Sequence, residues 1–207
     1  MATILYLNAS PKAESSSCGR IARAFLDEYC ARNPGDTVTA VDLFDYDLPE
    51  FGRLEVEAKF APIYGQARSN DQEHAWARIR REIEIFRSAD KIVLAAPMWN
   101  LGIPYKLKHY IDILVQPGLT FGYDARAMAH IGLVPNKPVQ FILTRSSVLP
   151  GDFSDFQLPY LKYIFEFVGI RDVRVIVAWQ TTKPTAEARE AYVASFLDEA
   201  KAAAQRF

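Results

Sequence analysis

Cysteine is scarce in this chain of 207 residues: there are two, Cys18 and Cys30, twelve apart and in no CxxC pair. That spacing offers neither a disulfide framework nor a thiolate metal site, so reduced thiols are expected. The three histidines, His74, His109 and His130, are scattered, which speaks against zinc. Charge of one sign is missing too. The formal net charge is −1, with both signs interspersed, and a nucleic-acid groove would need a basic stripe. No run approaches the roughly 18 apolar residues of a membrane span. The first residues lead directly into a strand, without the charged start and cleavage site of a signal peptide, so the expectation is a cytoplasmic protein with neither membrane nor nucleic-acid partners. Gly-x-Gly-x-x-Gly and the Gly-Lys-Thr of a P-loop are absent. No Ser/His/Asp or Cys/His arrangement suggests a nucleophile or a general base.

What the chain does have is alternation. Half the residues are apolar, enough for one domain spanning 1–207. Apolar runs at Thr3–Asn8, Ile92–Ala96, Val139–Thr144 and Val173–Ala178 read as strands, and Thr37–Asp42 alternates as an edge strand should. Between them lie helical patterns. Ile21, Phe25 and Tyr29 recur every four residues in 17–32. Trp76, Ile79, Ile83 and Phe86 follow a Ser69/Gln72 capping signal. Leu107, Ile111 and Leu114 follow Pro104; Leu158, Leu161, Phe165 and Val168 precede Gly169; Ala188, Tyr192, Phe196 and Ala200 follow Pro184. The connection from Leu43 to Arg68 is long and too apolar for a plain solvent loop. Five strands alternating with helices imply a doubly wound α/β fold, a five-stranded parallel sheet of order 2-1-3-4-5 with helices on both faces.

In such sheets ligands bind beyond the carboxyl ends of the strands, which directs attention to three loops. After the first strand come Ser10, Ser16, Ser17 and Cys18, leading into a helix. A helix N-terminus suits a phosphate, although serines there can equally serve only as caps. After the third strand, Pro97 ends the hydrogen-bond ladder and Met98-Trp99-Asn100-Leu101 follows. Trp99 supplies a flat face and Asn100 an amide with donor and acceptor; the alternative is a core Trp and a turn Asn. After the fourth strand comes Thr144-Arg145-Ser146-Ser147, where Arg145 could instead pair with a carboxylate. A phosphate site plus two polar loops fits a mononucleotide lying along the rim. Binding groups without catalytic ones suggest that a cofactor carries the chemistry.

These segments, with Gly118-Leu119-Thr120-Phe121-x-Tyr123, Pro159-Tyr160-Leu161 and Phe167-Val168-Gly169-Ile170, resemble the FMN-dependent NAD(P)H azoreductases, also called quinone oxidoreductases, of the flavodoxin-like fold. The resemblance covers nearly the whole chain. It implies noncovalent FMN, with its phosphate on Ser10 and Ser16–Cys18 and its ring against Met98–Leu101 and Thr144–Ser147. It implies NADH or NADPH as donor, a quinone or azo compound as acceptor, and two-electron ping-pong turnover. A homodimer is also implied, with Phe121 and Phe167 lining the substrate pocket, across the subunits or within one. Three positions depart from the family pattern: Cys18 stands where a third phosphate-turn serine is usual, Trp99 where tyrosine is frequent, and Ser146-Ser147 where two glycines are usual. A thiol is a weaker donor than a hydroxyl, and glycine permits φ > 0 and close backbone approach. The rival reading is a one-electron flavodoxin-like carrier. As a class such carriers tend to be acidic so as to steer toward basic partners, and the near-neutral charge does not favour it.

Overall fold

The computed structural model describes residues 1–146 and 154–207. Five strands, β1 (Thr3–Asn8), β2 (Thr37–Asp42), β3 (Lys91–Pro97), β6 (Val139–Thr144) and β7 (Val173–Ala178), form a parallel sheet of order β2-β1-β3-β6-β7. In strand count alone this is the expected 2-1-3-4-5. A separate antiparallel hairpin, β4 (Phe121–Asp124) with β5 (Ala129–Gly132), accounts for the offset in numbering.

Alternation along the central strands builds two cores. Leu5, Leu7, Ile92, Leu94, Phe141 and Leu143 face one way, onto α3 (Asn70–Ser88), α4 (Tyr105–Leu114) and α5 (Leu158–Val168). Ile4, Tyr6, Val93, Ala95, Ile142 and Ile176 face the other way, onto α1 (Ser17–Arg32), α6 (Ala186–Ala194) and α7 (Leu197–Ala204). Strands buried on both faces read as unbroken apolar runs, so β1 and β6 fall where the sequence puts them, and β3 extends one residue beyond Ile92–Ala96 at each end, to Lys91 and Pro97.

Three features depart from the sequence reading. The connection after β2 holds a helix, α2 (Arg53–Phe60), whose first turn is tied by Gly52 N–H donating to Glu55 Oε2 at 2.9 Å. Its apolar residues Leu54, Val56 and Phe60 remain exposed rather than packed inward. The final helical pattern splits into α6 and α7. Thr185 caps α6 by accepting from Ala188 N, and Ser195 Oγ donates to Tyr192 C=O at its end; a hydroxyl bonding back to the turn competes with the ladder there. The β4–β5 hairpin, unread in the sequence, is held by a contact that local pattern does not reveal. Gly132 lies so close to the backbone of Gly169 that an added Cβ would sit 2.2 Å from the Gly169 nitrogen.

The helices run back from the carboxyl ends of the strands to their amino ends, so the sheet has two distinct rims. At the amino rim the Lys137 ammonium donates to the Phe86, Arg87 and Ala89 carbonyls at the end of α3. The carboxyl rim carries the loops singled out above.

Candidate functional site

The first loop leaves β1 at Asn8. The Asn8 side chain donates to Asp42 Oδ2 at 2.9 Å and accepts from Ser10 N at 3.2 Å, fixing the turn's start. Ser10 is buried, and its Oγ accepts from Lys12 N. Ser15 Oγ donates to Lys12 C=O, and Ser16 Oγ donates to Ala13 C=O while accepting from Gly19 N at 2.9 Å. Ser16 is therefore the cap of α1. The cap leaves the N–H groups of Ser17 and Cys18, the first two helical positions, without intrahelical partners. That is a site of partial positive charge open to an anion.

Cys18 requires a correction. Its side chain is fully buried in the core beneath α1, with Sγ 3.4 Å from Ser16 Oγ. Burial pushes the thiol's pKa up, partly offset by hydrogen bonds from Ser16 and Thr144. The thiol is engaged by Ser16 and Thr144 within the core, a setting different from the open hydroxyl that the family pattern suggests. Cys18 continues the Ile21, Phe25, Tyr29 face back by one turn, and that spacing is the signal that locates it.

The second loop is a tight turn under strain. Met98 N donates to Thr144 C=O at 2.8 Å, tying the tip of β3 to that of β6. Trp99 and Gly102 then exchange two hydrogen bonds, 3.1 and 2.9 Å. The two residues between them, Asn100 and Leu101, both have positive φ, 46° and 68°. This is the geometry of a type I′ turn, which favours Asn at its first position and normally Gly at its second. Leucine in the left-handed region costs about 1–2 kcal/mol, and such strain persists only where the surroundings impose it. Here Leu101 C=O accepts from Phe156 N at 3.0 Å. Trp99 is 36% exposed, its ring 5.9 Å from Phe44 and 6.3 Å from Tyr105. It is a surface-facing flat side chain and not a core residue. A cleft of about 700 Å³ opens beside it.

In the third loop Thr144 is buried at the tip of β6 and Ser146 is exposed; Ser147 lies outside the described residues. Arg145 is the second correction. Its side chain has no exposed surface; Nη1 pairs with Asp155 at 2.7 Å and Nε donates to Gln157 Oε1 at 3.1 Å. Its guanidinium carbon sits 4.2 Å from the centre of the Trp179 ring. Burial pulls its pKa down, while the Asp155 carboxylate holds it up. Asp155 also accepts from Gln157 N and Leu158 N, capping α5, and Gln157 Nε2 donates to Ala96 C=O at 3.4 Å. The structure shows the pairing with a carboxylate: the Arg145 side chain joins β6 to α5 through Asp155 and Gln157, and Gln157 reaches β3.

A fourth rim loop was missed by the sequence reading. After β7, Trp179 stacks on Arg145, and Thr181 donates to Arg145 C=O through both N and Oγ1. The same signal used for the other loops, aromatic and polar residues following an apolar strand, is present there. Phe121 and Phe167 do come together, 4.8 Å apart, with His130 at 5.9 and 5.5 Å. They are not on this rim. Phe167 lies nine residues along α5 from its rim end, about 14 Å at 1.5 Å per residue.

Among the described residues no cluster of His, Cys, Asp or Glu could hold a metal ion, and no helix is long and apolar enough to cross a membrane. Comparison with known proteins agrees with the architecture. Residues 2–202 match the family model described as a flavodoxin-like fold. An FMN-dependent NADH:quinone oxidoreductase from Nitratidesulfovibrio vulgaris is 41% identical over 211 residues, covering all of both chains. FMN-dependent NADH:quinone oxidoreductase 1 from Bradyrhizobium diazoefficiens is 38% identical over 89% of each. Among solved structures, an azoreductase from Bacillus anthracis superposes with a TM-score of 0.87 at 27% identity over both whole chains. A second B. anthracis structure, an FMN-dependent NADH-azoreductase in complex with FMN, gives the same score at 25% identity, covering 100% of this chain and 99% of that one. Rim geometry, fold and full-length identity thus converge, and the chain belongs to the flavodoxin-like family of FMN-dependent NADH:quinone oxidoreductases.

Proposed function

We propose that residues 1–207 form one FMN-binding domain that passes two electrons from NADH or NADPH to quinones or azo compounds in alternating half-reactions. The observation carrying this reading is the shared rim: an open helix N-terminus, a strained turn bearing Trp99 and Asn100, and the tips of β3 and β6 all face the same side of the sheet. These residues fit FMN held noncovalently. The Ser17 and Cys18 N–H groups, with the hydroxyls of Ser10 and Ser17, would hold the phosphate, and Ser16 would fix the helix end beneath it as the cap. Met98–Leu101 would lie along the ring, with the Asn100 amide meeting its polar edge, and Thr144, Ser146 and Ser147 would border the far edge. Arg145 would keep that border in place from beneath. Bound FMN supplies hydride acceptance and release, chemistry that no side chain here offers. The chain's own share is to bind the phosphate, orient the ring and keep one ring face open to donor and acceptor in turn.

We further infer a homodimer working in the cytoplasm. Phe167 stands too far down α5, with Phe121 of β4 beside it, to line a pocket at their own rim, so a pocket that includes them needs a second copy. Exposed apolar side chains on and after α2, such as Phe60, Ile63 and Tyr64, supply surface for such a contact.

The test is optical. Purified protein should be yellow or take up FMN with quenching of flavin fluorescence, and NADH or NADPH should bleach it anaerobically. Steady-state lines against a small quinone should be parallel, as a ping-pong scheme requires. Failure to bind FMN would sink the proposal. A bound flavin that oxidises neither nicotinamide would instead favour the one-electron carrier.

A further inference from the structure

Asp42 closes β2 opposite Asn8, the last residue of β1. Both of its carboxylate oxygens are committed, and to different loops. Oδ2 accepts from Asn8 Nδ2 at 2.9 Å, and Oδ1 accepts from Phe44 N at 3.0 Å. The Asn8 amide is thereby turned with its own oxygen toward Ser10 N, which donates to it at 3.2 Å. Phe44 lays its ring 5.9 Å from that of Trp99 and 5.7 Å from that of Tyr105. One side chain at the edge of the sheet thus reaches both the serine loop after β1 and the turn that carries Trp99.

The arrangement needs a carboxylate. A carboxylate accepts at two oxygens and donates nowhere, whereas an amide has one accepting oxygen and a donor. An asparagine at position 42 would meet either Asn8 Nδ2 or Phe44 N donor to donor. Turning the Asn8 amide to suit it would set Nδ2 against Ser10 N instead. Residue 42 therefore decides which way the Asn8 amide faces, and with it where Ser10 sits. Asn8 and Ser10 are both buried, where a lost partner is costly. The path of the chain is held separately. Leu43 N donates to Asn8 C=O at 2.9 Å, Tyr46 N donates to Asp42 C=O at 2.8 Å, and the Leu43 side chain is fully buried. What the Asp42 side chain adds is orientation.

We propose that Asp42 is a positioning residue of the flavin site, holding the phosphate loop through Asn8 and the ring-bearing turn through Phe44. The proposal rests on the flavin reading above and adds a residue outside the three loops that couples two of them. The sign of its effect separates positioning from plain charge. Removing a carboxylate from beside the phosphate loop would, by charge alone, tighten a phosphate-bearing ligand. Removing a brace from the same loop weakens it.

The experiment titrates the full chain, freed of flavin, with FMN and with riboflavin, which lacks the phosphate. The variants are Asp42→Ala, Asp42→Asn, Asn8→Ala and Phe44→Leu, with Asp45→Ala as a control for charge at an exposed position of the same turn. Asp42→Ala should weaken FMN about ten- to hundredfold and riboflavin about three- to tenfold. Asn8→Ala should weaken FMN alone, and Phe44→Leu should weaken both flavins by the same factor. Asp42→Asn keeps one arm and not both, so its FMN affinity should fall between those of the wild type and Asp42→Ala. Asp45→Ala should weaken neither flavin. A role in stability alone would lower the melting temperature of Asp42→Ala and leave the ratio of its two affinities unchanged; that result, or tighter FMN binding, would overturn the proposal. A second arm needs no flavin: hydrogen exchange of the flavin-free chain, read by mass spectrometry. Asp42→Ala should speed exchange in both 9–13 and 98–102 and leave β3 and β6 unchanged. Acceleration in one of these segments only, or in neither, would overturn the proposal. The exchange arm reads the coupling even in a chain that binds no flavin, so failure of the coupling and failure of the flavin reading are distinguishable.

Discussion

The two rims of the parallel sheet are built from opposite materials. At the amino rim polar groups are closed off: the Lys137 ammonium is taken up by three carbonyls, and Thr120 Oγ1 accepts from Gln116 N and donates to Leu114 C=O. The hairpin is locked there by the contact of Gly132 with Gly169. At the carboxyl rim the chain holds Ala13, Asn100, Leu101 and Gln180 at positive φ, against Met128 in the exposed β4–β5 turn at the other end, and leaves helix N–H groups open. One end stores stability and the other gives some of it up to hold backbone donors and a flat ring in fixed places, as sites commonly do. Substitutions at the two ends should therefore fail in different ways.

The largest effect is expected at the amino rim. A Gly132→Ala side chain would meet Gly169 N, Gly169 Cα and Val168 C at 2.2 to 2.4 Å, all backbone atoms that cannot swing aside. The hairpin must then separate from α5, breaking the bond from Val134 N to Val168 C=O. A cost of about 3 kcal/mol or more is expected, the range of severe core overpacking, read as a large fall in melting temperature. Flavin affinity of whatever remains folded should be unchanged. Loss of flavin at constant stability would erase the distinction between the rims.

Arg145 tests the distinction from the other side, because it stands at the carboxyl rim yet is built like an anchor. Arg145→Met would strand the Asp155 carboxylate, which is only 13% exposed. Removing one partner of a buried pair costs about 3–5 kcal/mol. The melting temperature should drop, and the fluorescence of Trp179 should change with loss of the stacked guanidinium. If Arg145 met the ligand directly, the variant would instead keep its stability and lose only FMN.

These two residues also show where local sequence stops being informative. The inner strands β1, β3 and β6 could be located because their apolar runs are buried on both faces, and the edge strand β2 by its alternation; β1, β2, β6 and β7 begin and end where expected. The capping box at Ser69 and Gln72 and the left-handed Gly169 closing α5 were legible for the same reason, since each is decided by neighbours in the chain. The β4–β5 hairpin was not. Residues 129–132 are exposed throughout and show no alternation, and their anchor is a glycine 37 positions away. Nor could the direction of the Arg145 side chain be read, because Asp155, Gln157 and Trp179 lie ten or more residues on. Cys18 differs from both. Its burial was legible from the helical face it shares with Ile21 and Phe25, and the family pattern of hydroxyls drew the reading away from it.

Leu101→Gly moves in the opposite direction. It relieves a left-handed leucine that is 43% exposed and so loses little burial. Glycine's extra freedom in the unfolded chain offsets part of the relief, leaving a gain of up to about 1 kcal/mol. If the strain holds Trp99 and Asn100 in place, stability should rise while turnover falls. A variant that gains stability and keeps full turnover would show that the turn's strain has no part in the site.

The smallest effect concerns Glu82, midway along α3 and belonging to neither rim. Its carboxylate is almost wholly buried and accepts from Tyr46 Oη at 3.1 Å, the contact that fastens the loop after β2 to α3. Burial raises its pKa above the usual range, more than the Tyr46 hydrogen bond and the charges of Arg81 and Arg78 lower it. A carboxyl that holds its proton longer when folded makes the native state bind more protons than the unfolded chain. Stability from this group is then fully present at acid pH and falls as pH rises from the ordinary carboxyl range through the raised value. Glu82→Gln keeps an oxygen for Tyr46 and removes the charge. Its melting temperature should match the wild type near pH 4, where both side chains are neutral, and exceed it by a margin that grows toward pH 7.5. A margin independent of pH, or one that shrinks as pH rises, would mean that the Arg78 and Arg81 charges outweigh burial at this position.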